Sequence, residues 1–151
     1  MTDEHKRPAS STIAVVLLWL QGVYFAVFGV WPLISIRTFK LVTGEKTDHL
    51  VTGLEADHWL VMTVGLLITS IGLVLILAAW RRRESLEIVF LAMASAISLA
   101  AIDFIYVTRS VILPIYLVDG VIEIAFLAGW IAYIVTRSRQ FRTTGSQDSS
   151  A

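Results

Sequence analysis

Three carboxylates, Asp103, Asp119 and Glu123, lie in stretches of the sequence that are otherwise apolar. A charged group near the centre of a membrane-spanning helix costs about 2.5–3.5 kcal/mol, so such a group usually has a partner, a water-filled cavity or a bound proton. Asp119 and Glu123 are four residues apart, which places them on one face of a helix, and Tyr116 extends that face. The spacing therefore predicts a shared acidic site.

Hairpin geometry brings Asp103 to the same depth as Asp119. The two apolar segments that carry these acids are joined by a short turn near residue 111, and each acid is eight residues from that point. Two carboxylates that face each other in a low dielectric cannot both ionise cheaply, so we expect at least one to be protonated. The predicted ligand-binding residues, around an intramembrane pocket that opens to the outer side, are Asp103, Asp119, Glu123, Tyr116 and Arg109.

Several functions fit such a pocket, and the sequence leaves them open. The pocket could bind a proton, a cation or the amine of an amphiphilic small molecule. Alternatively, the chain is a small membrane enzyme that acts on a lipid or isoprenoid, with one protonated acid as the proton donor. It could also be an accessory subunit whose acids pair with basic groups of another membrane protein. The sequence leaves a homo-oligomer open as well. In the purely structural alternative, the acids are protonated and hydrogen-bond the helices together, and Arg109, in the turn, neutralises the outermost acid.

A nine-residue near-repeat precedes the second apolar segment, with LVTGEKTDH at 41–49 and LVTGLEADH at 50–58. Imidazole and carboxylate are good ligands for zinc, but the spacing of its two Asp-His pairs matches no established metal motif. A capping box, TGLE at 52–55, explains part of the repeat as the start of a helix. We therefore predict no metal site and no cofactor. The weak metal candidates are Asp48, His49, Asp57 and His58.

Composition excludes several classes of protein. The chain has no cysteine, which excludes disulfides, thiolate catalysis, iron–sulfur clusters and cysteine-ligated zinc. Its 12 basic and 12 acidic residues cancel, so no nucleic-acid partner is predicted. Charged residues make up 16% of the chain and hydrophobic residues 56%, whereas soluble domains average about 25% charged residues. Low charge and long apolar runs together indicate lipid as the solvent.

Four apolar runs position the acids. A bilayer core about 30 Å thick requires about 20 helical residues, and each run is long enough to cross it. Only helices satisfy their own backbone polar groups in lipid, so the sequence predicts an all-α membrane protein with a four-transmembrane-helix bundle over 12–136. The predicted helices are 12–35, 53–80, 86–108 and 113–136. The remaining segments are predicted as a cytoplasmic tail at 1–11, an outer loop at 36–52 and a disordered cytoplasmic tail at 137–151.

Basic residues predict the orientation of the bundle. The two tails and the arginines at 81–83 carry eight of the 12 lysine and arginine residues, and the opposite side carries four. Because positive charge stays inside, both termini are predicted to be cytoplasmic. The expected location is the inner (plasma) membrane of a bacterium, with the lipid bilayer as the first partner.

Small residues recur at helix-packing intervals and predict close seams between helices. Gln21 and Tyr24 in the first helix are weaker candidates for polar contacts with the acids. The predicted seam residues are Gly22, Ala26 and Gly29 in the first helix, Gly65, Thr69 and Gly72 in the second, and Ala92, Ala96 and Ala100 in the third.

Four helices in 151 residues resemble the architecture of DoxX-like proteins and of the EXPERA-type group of sterol isomerases and the sigma-2 receptor. No motif of either group aligns with this sequence. The resemblance is therefore one of architecture, and it implies no functional residue.

Overall fold

The computed structural model describes residues 11–43 and 56–147, without the side chains at 40, 43, 56–58 and 140–147. Within these ranges all regular secondary structure is helical. The helices are α1 (Thr12–Ile34), α2 (Ile36–Thr43), α3 (Ala56–Trp80), α4 (Leu86–Thr108) and α5 (Tyr116–Gln147).

Four of these helices are long and apolar enough to cross a membrane. Their candidate spans are Thr12–Ile34, Trp59–Trp80, Leu86–Thr108 and Tyr116–Arg139, with mean hydropathies between 1.8 and 2.7. Only 17 to 33% of the most apolar part of each span is buried inside the bundle, so most of its side chains face outward. Helices that expose so much apolar surface require lipid around them. The predicted all-α, four-transmembrane-helix fold is confirmed, and contact with a lipid bilayer follows from it.

Residues 36–43 form α2, although the sequence predicts a loop at 36–52. The Oγ of Ser35 accepts a hydrogen bond from the backbone N–H of Thr38 at 3.4 Å, which caps the start of the helix. The indole N–H of Trp31 donates to Thr38 Oγ1 at 3.1 Å and ties α2 to the end of α1. The eight residues of α2 mix polar and apolar side chains, so a search for long apolar runs does not detect them.

α5 extends to Gln147, past residue 136, where the sequence predicts the end of the last span and the start of a disordered tail. Outside lipid a helix continues wherever its own hydrogen bonds and propensities suffice, and arginine and glutamine are good helix formers. α5 begins at Tyr116 rather than at 113, since a turn that contains Pro114 precedes it. The predicted start of the second span near 53, and its capping box at 52–55, lie outside the described residues.

α1 packs along α3, and α4 packs along α5. Glycines bring the first pair very close together: a Cβ on Gly29 would lie 2.7 Å from the carbonyl oxygen of Gly65, and one on Gly72 would lie 2.7 Å from that of Gly22. Real side chains do not occupy such short distances, so the two backbones meet only because these residues are glycine. The glycines of the predicted seam therefore lie at the contact between α1 and α3, which run antiparallel.

A Schellman motif ends both α3 and α4. Arg82 has a positive φ of 48°, Arg83 N–H donates to the carbonyl of Ala78 at 2.9 Å, and Arg82 N–H donates to that of Ala79 at 3.0 Å. Ser110, with φ 57°, occupies the equivalent position after α4. These bonds satisfy terminal carbonyls and reverse the chain within a few residues. The end of the bundle that carries the α3–α4 turn is called the arginine end below.

Candidate functional site

One face of α5 carries polar and aromatic side chains along the whole length of the span. The residues are three or four positions apart, so they lie in a single line on the helix. Several of them are buried in the bundle, including Glu123, Trp130 and Tyr133. The line runs toward the arginine end through Asp119, Glu123, Phe126, Trp130, Tyr133 and Arg137.

The structure brings Asp103, Asp119 and Glu123 together. A Cβ on Gly120 would lie 3.4 Å from the Cβ of Asp103, so Asp103 on α4 is level with the start of α5, as the hairpin geometry predicts. Asp119 directly precedes Gly120, and Glu123 lies one helical turn further along the same face of α5. Asp103 is 5% exposed and Glu123 is fully buried. The three acids therefore form one cluster between α4 and α5, named the acid cluster below.

Tyr24 adds a third helix to the acid cluster. Its hydroxyl group, on α1, donates a hydrogen bond to Asp119 Oδ1. The Tyr24 ring lies 5.8 Å from the ring of Phe126 and 4.5 Å from that of Phe28, measured between centroids, which fixes the direction of the side chain. Asp119 thus has a donor from a distant part of the chain. The sequence analysis names Tyr24 only as a weaker candidate, because nothing local shows which way α1 faces.

Glu123 differs from Asp119 in its surroundings. It is fully buried, and within residues 11–43 and 56–147 neither of its carboxyl oxygens has a hydrogen-bond partner. An ionised carboxylate in such a place would carry a very large desolvation penalty, whereas a neutral carboxylic acid is far cheaper to bury. The environment therefore favours the protonated form of Glu123.

Tyr116 and Arg109 lie at the end of the bundle opposite the arginine end, near the acid cluster in sequence. The hydroxyl oxygen of Tyr116 is buried at the first turn of α5. Arg109 is exposed at the C-cap of α4, and it forms no ion pair with any residue that the structure describes. Its side chain therefore pairs with no acid among the described residues, unlike in the structural alternative, because the Schellman turn places it at the surface.

The weak metal candidates cannot be placed. Asp48 and His49 lie outside the described residues, as do the side chains of Asp57 and His58. In the part of the chain that is described, no group of three or more His, Cys, Asp and Glu side chains is arranged to hold a metal ion.

Gln21 forms a buried polar bridge, one layer closer to the arginine end than the acid cluster. Its Nε2 donates to the carbonyl oxygen of Ala92 at 2.8 Å, and its Oε1 accepts from Trp130 Nε1 at 2.8 Å. Gln21 and Trp130 are both fully buried. This bridge ties α1 to α4 and α5.

A second polar network, at the arginine end, has Glu84 at its centre. Glu84 Oε1 accepts from the backbone N–H of Ser11 at 3.1 Å and lies 3.4 Å from Arg137 Nη1, and Glu84 Oε2 accepts from the Tyr133 hydroxyl at 2.9 Å. Arg137 also donates to the Tyr133 hydroxyl. The sequence analysis misses this network. The available signal is the spacing of Tyr133 and Arg137, which continue the α5 face that begins at Asp119.

Comparison of the chain with protein-family models, curated proteins and solved structures finds no match in any of the three.

Proposed function

We propose that this multi-pass membrane protein binds and releases a proton at Glu123, inside the acid cluster. The observation that carries the proposal is the burial of Glu123 without a hydrogen-bond partner, among the described residues, for either carboxyl oxygen. A carboxyl group placed in this way is stable only while it holds a proton or while a cation approaches it. A proton needs no cavity and no set of ligands, so it fits the packed surroundings of Glu123 better than a metal ion does.

The contrast with Asp119 supports a proton site rather than a purely structural contact. An acid that joins helices uses its oxygens in hydrogen bonds, and Asp119 does so with Tyr24. Glu123 lies one helical turn further into the bundle and makes no such bond within the described residues. Asp119 is only partly buried, so it is more accessible than Glu123. It provides the polar group through which a proton reaches Glu123.

Proton binding at Glu123 is tested by infrared spectroscopy of the full chain in lipid vesicles at a series of pH values. We expect a carboxylic-acid C=O band that loses intensity as the pH rises and that is absent from the Glu123→Gln variant. Glu87→Gln is the matched control, since Glu87 is an exposed glutamate in the first turn of α4. A band that survives in Glu123→Gln, or that stays constant over the whole pH range, contradicts the proposal.

We further propose that both termini face the cytoplasm and that the acid cluster opens toward the outer side of the plasma membrane, the inner membrane of a bacterium. The orientation rests on the eight of 12 basic residues that lie in the tails and the α3–α4 turn. Asp119 lies in the first turn of α5, at the other end of the bundle.

The absence of cysteine makes this orientation easy to test. Val111 and Ser85 are both exposed, in the turns after α4 and before α4 respectively. A membrane-impermeant maleimide is expected to label Val111→Cys in intact cells and Ser85→Cys only after permeabilisation. The reverse pattern would show the opposite orientation.

A further inference from the structure

A groove lies on the surface between α1 and α3 at the arginine end. Its volume is about 380 Å³. Trp19 and Trp80 are 40% and 76% exposed, so both indoles face outward, Trp80 at the end of α3 and Trp19 about two turns into α1. The groove is lined by Val15, Trp19, Ala79, Trp80 and Arg82.

Arg82 is held at the groove by the backbone. It occupies the left-handed position of the Schellman motif after α3, and its N–H bond to the carbonyl of Ala79 fixes the turn. The same bonds satisfy carbonyls at the end of α3, whose dipole corresponds to about half a negative charge. The three arginines at 81–83 outweigh that charge. The groove is therefore cationic at Arg82, while its other four lining residues have apolar or aromatic side chains.

The nearest acidic residue in the chain does not neutralise these arginines. Glu84 is engaged by Arg137, by the hydroxyl of Tyr133 and by the backbone of Ser11. Among the described residues, the arginines at 81–83 form no ion pair. The positive charge at the groove is thus available to an anion from outside the chain.

We infer that this groove binds an anionic phospholipid, with the headgroup phosphate on Arg82 and an acyl chain along Val15 and Trp19. A phospholipid matches both parts of the surface, because arginine and tryptophan favour the headgroup level while the groove wall requires hydrocarbon. Charge complementarity selects the anionic class. The groove shares no residue with the acid cluster, so this site is independent of proton binding at Glu123.

Native mass spectrometry of the full chain in detergent tests the site, with equimolar phosphatidylglycerol and phosphatidylcholine as probes. The wild type is expected to retain phosphatidylglycerol in preference. Arg82→Asn removes the charge with a residue that tolerates a positive φ, and it is expected to lower phosphatidylglycerol retention about fivefold. Arg109→Asn, at an exposed arginine on the opposite end, is the matched control and is expected to behave as the wild type.

A second variant, in the apolar part of the groove, tests the lipid site if Arg82→Asn does not fold. Val15→Phe fills the groove and leaves every arginine in place, and it is expected to reduce retention of phosphatidylglycerol. Equal retention of the two lipids by the wild type, or equal losses in the Arg82 and Arg109 variants, would overturn the inference. Complete displacement of the lipid by an equal concentration of glycerol phosphate would also overturn it, because a soluble anion would then suffice.

Discussion

The hydroxyl group of Tyr24 donates a hydrogen bond to Asp119 Oδ1 and so joins α1 to α5, 95 residues further along the chain. Together with the Gln21 bridge, this hydrogen bond adds α1 to the α4–α5 hairpin that carries the acid cluster. The acid cluster therefore depends on how α1 is rotated as well as on the acids themselves.

Tyr24→Phe removes this hydrogen bond without changing the shape of the side chain. A hydrogen bond to a charged group contributes about 1.5–3 kcal/mol, so the free energy of unfolding is expected to fall by about that amount. Chemical unfolding in mixed micelles measures the change. Tyr106→Phe is the control, since Tyr106 is 42% exposed. Equal effects of the two substitutions would show that the Tyr24 contact contributes no stability.

Glu123→Leu is expected to leave the free energy of unfolding unchanged or to raise it. An unsatisfied buried polar group costs about 1–3 kcal/mol, and leucine removes that group while filling a similar volume. Glu87→Leu, at an exposed position in the first turn of α4, shows the effect of the same substitution outside the bundle interior. A loss of several kcal/mol specific to Glu123 would mean that its carboxyl group is bonded. Unchanged or raised stability would also support the proton site, because it would show that the carboxyl group of Glu123 does not stabilise the bundle.

Gly72→Ala is expected to destabilise the bundle strongly. The added Cβ would lie 2.6 Å from the backbone nitrogen of Ala26 and 2.7 Å from the carbonyl oxygen of Gly22, and neither backbone atom can move aside without separating α1 from α3. Overpacking of this kind costs about 1–3 kcal/mol. Thermal unfolding in detergent measures the loss.

Gly129→Ala is the matched control for Gly72→Ala. The Cβ at position 129 would meet only the flexible end of the Leu17 side chain, at 2.7 Å. A rotamer change of Leu17 relieves that contact, and alanine has the better helix propensity. A Gly72 variant as stable as the Gly129 variant would show that α1 and α3 are less closely packed.

Glu84→Ala is expected to loosen the first turn of α1. The substitution removes the acceptor of the Ser11 N–H and leaves Tyr133 and Arg137 without their carboxylate. Faster amide hydrogen exchange at the start of α1 is the expected readout, because helix ends fray when their donors lose their partners. Glu87→Ala serves as the control, and unchanged protection in the Glu84 variant would contradict the role of this network.

Much of the architecture follows from local features of the sequence. Four charge-poor runs of sufficient length determine the spans, and the glycines at 22, 29, 65 and 72 indicate where two backbones can touch. The equal distances of Asp103 and Asp119 from the turn determine their common depth. Each of these inferences uses only length, spacing or side-chain size, which do not depend on the rotation of a helix about its axis.

The tertiary structure decided how each helix is rotated about its axis and which side chains of other helices it meets. Hydropathy determines that α1 lies in lipid, but it does not determine that Tyr24 faces Asp119 or that Gln21 meets Trp130. A span that is apolar on every side has no polar face in its sequence to mark which side is exposed. Its buried face therefore depends on packing between distant residues. The same holds for Arg109, which the turn directs to the surface. The sequence by itself determined which acids enter the membrane, and only the packed bundle decided that Asp119 has a hydrogen-bond donor while Glu123 is buried without one among the described residues.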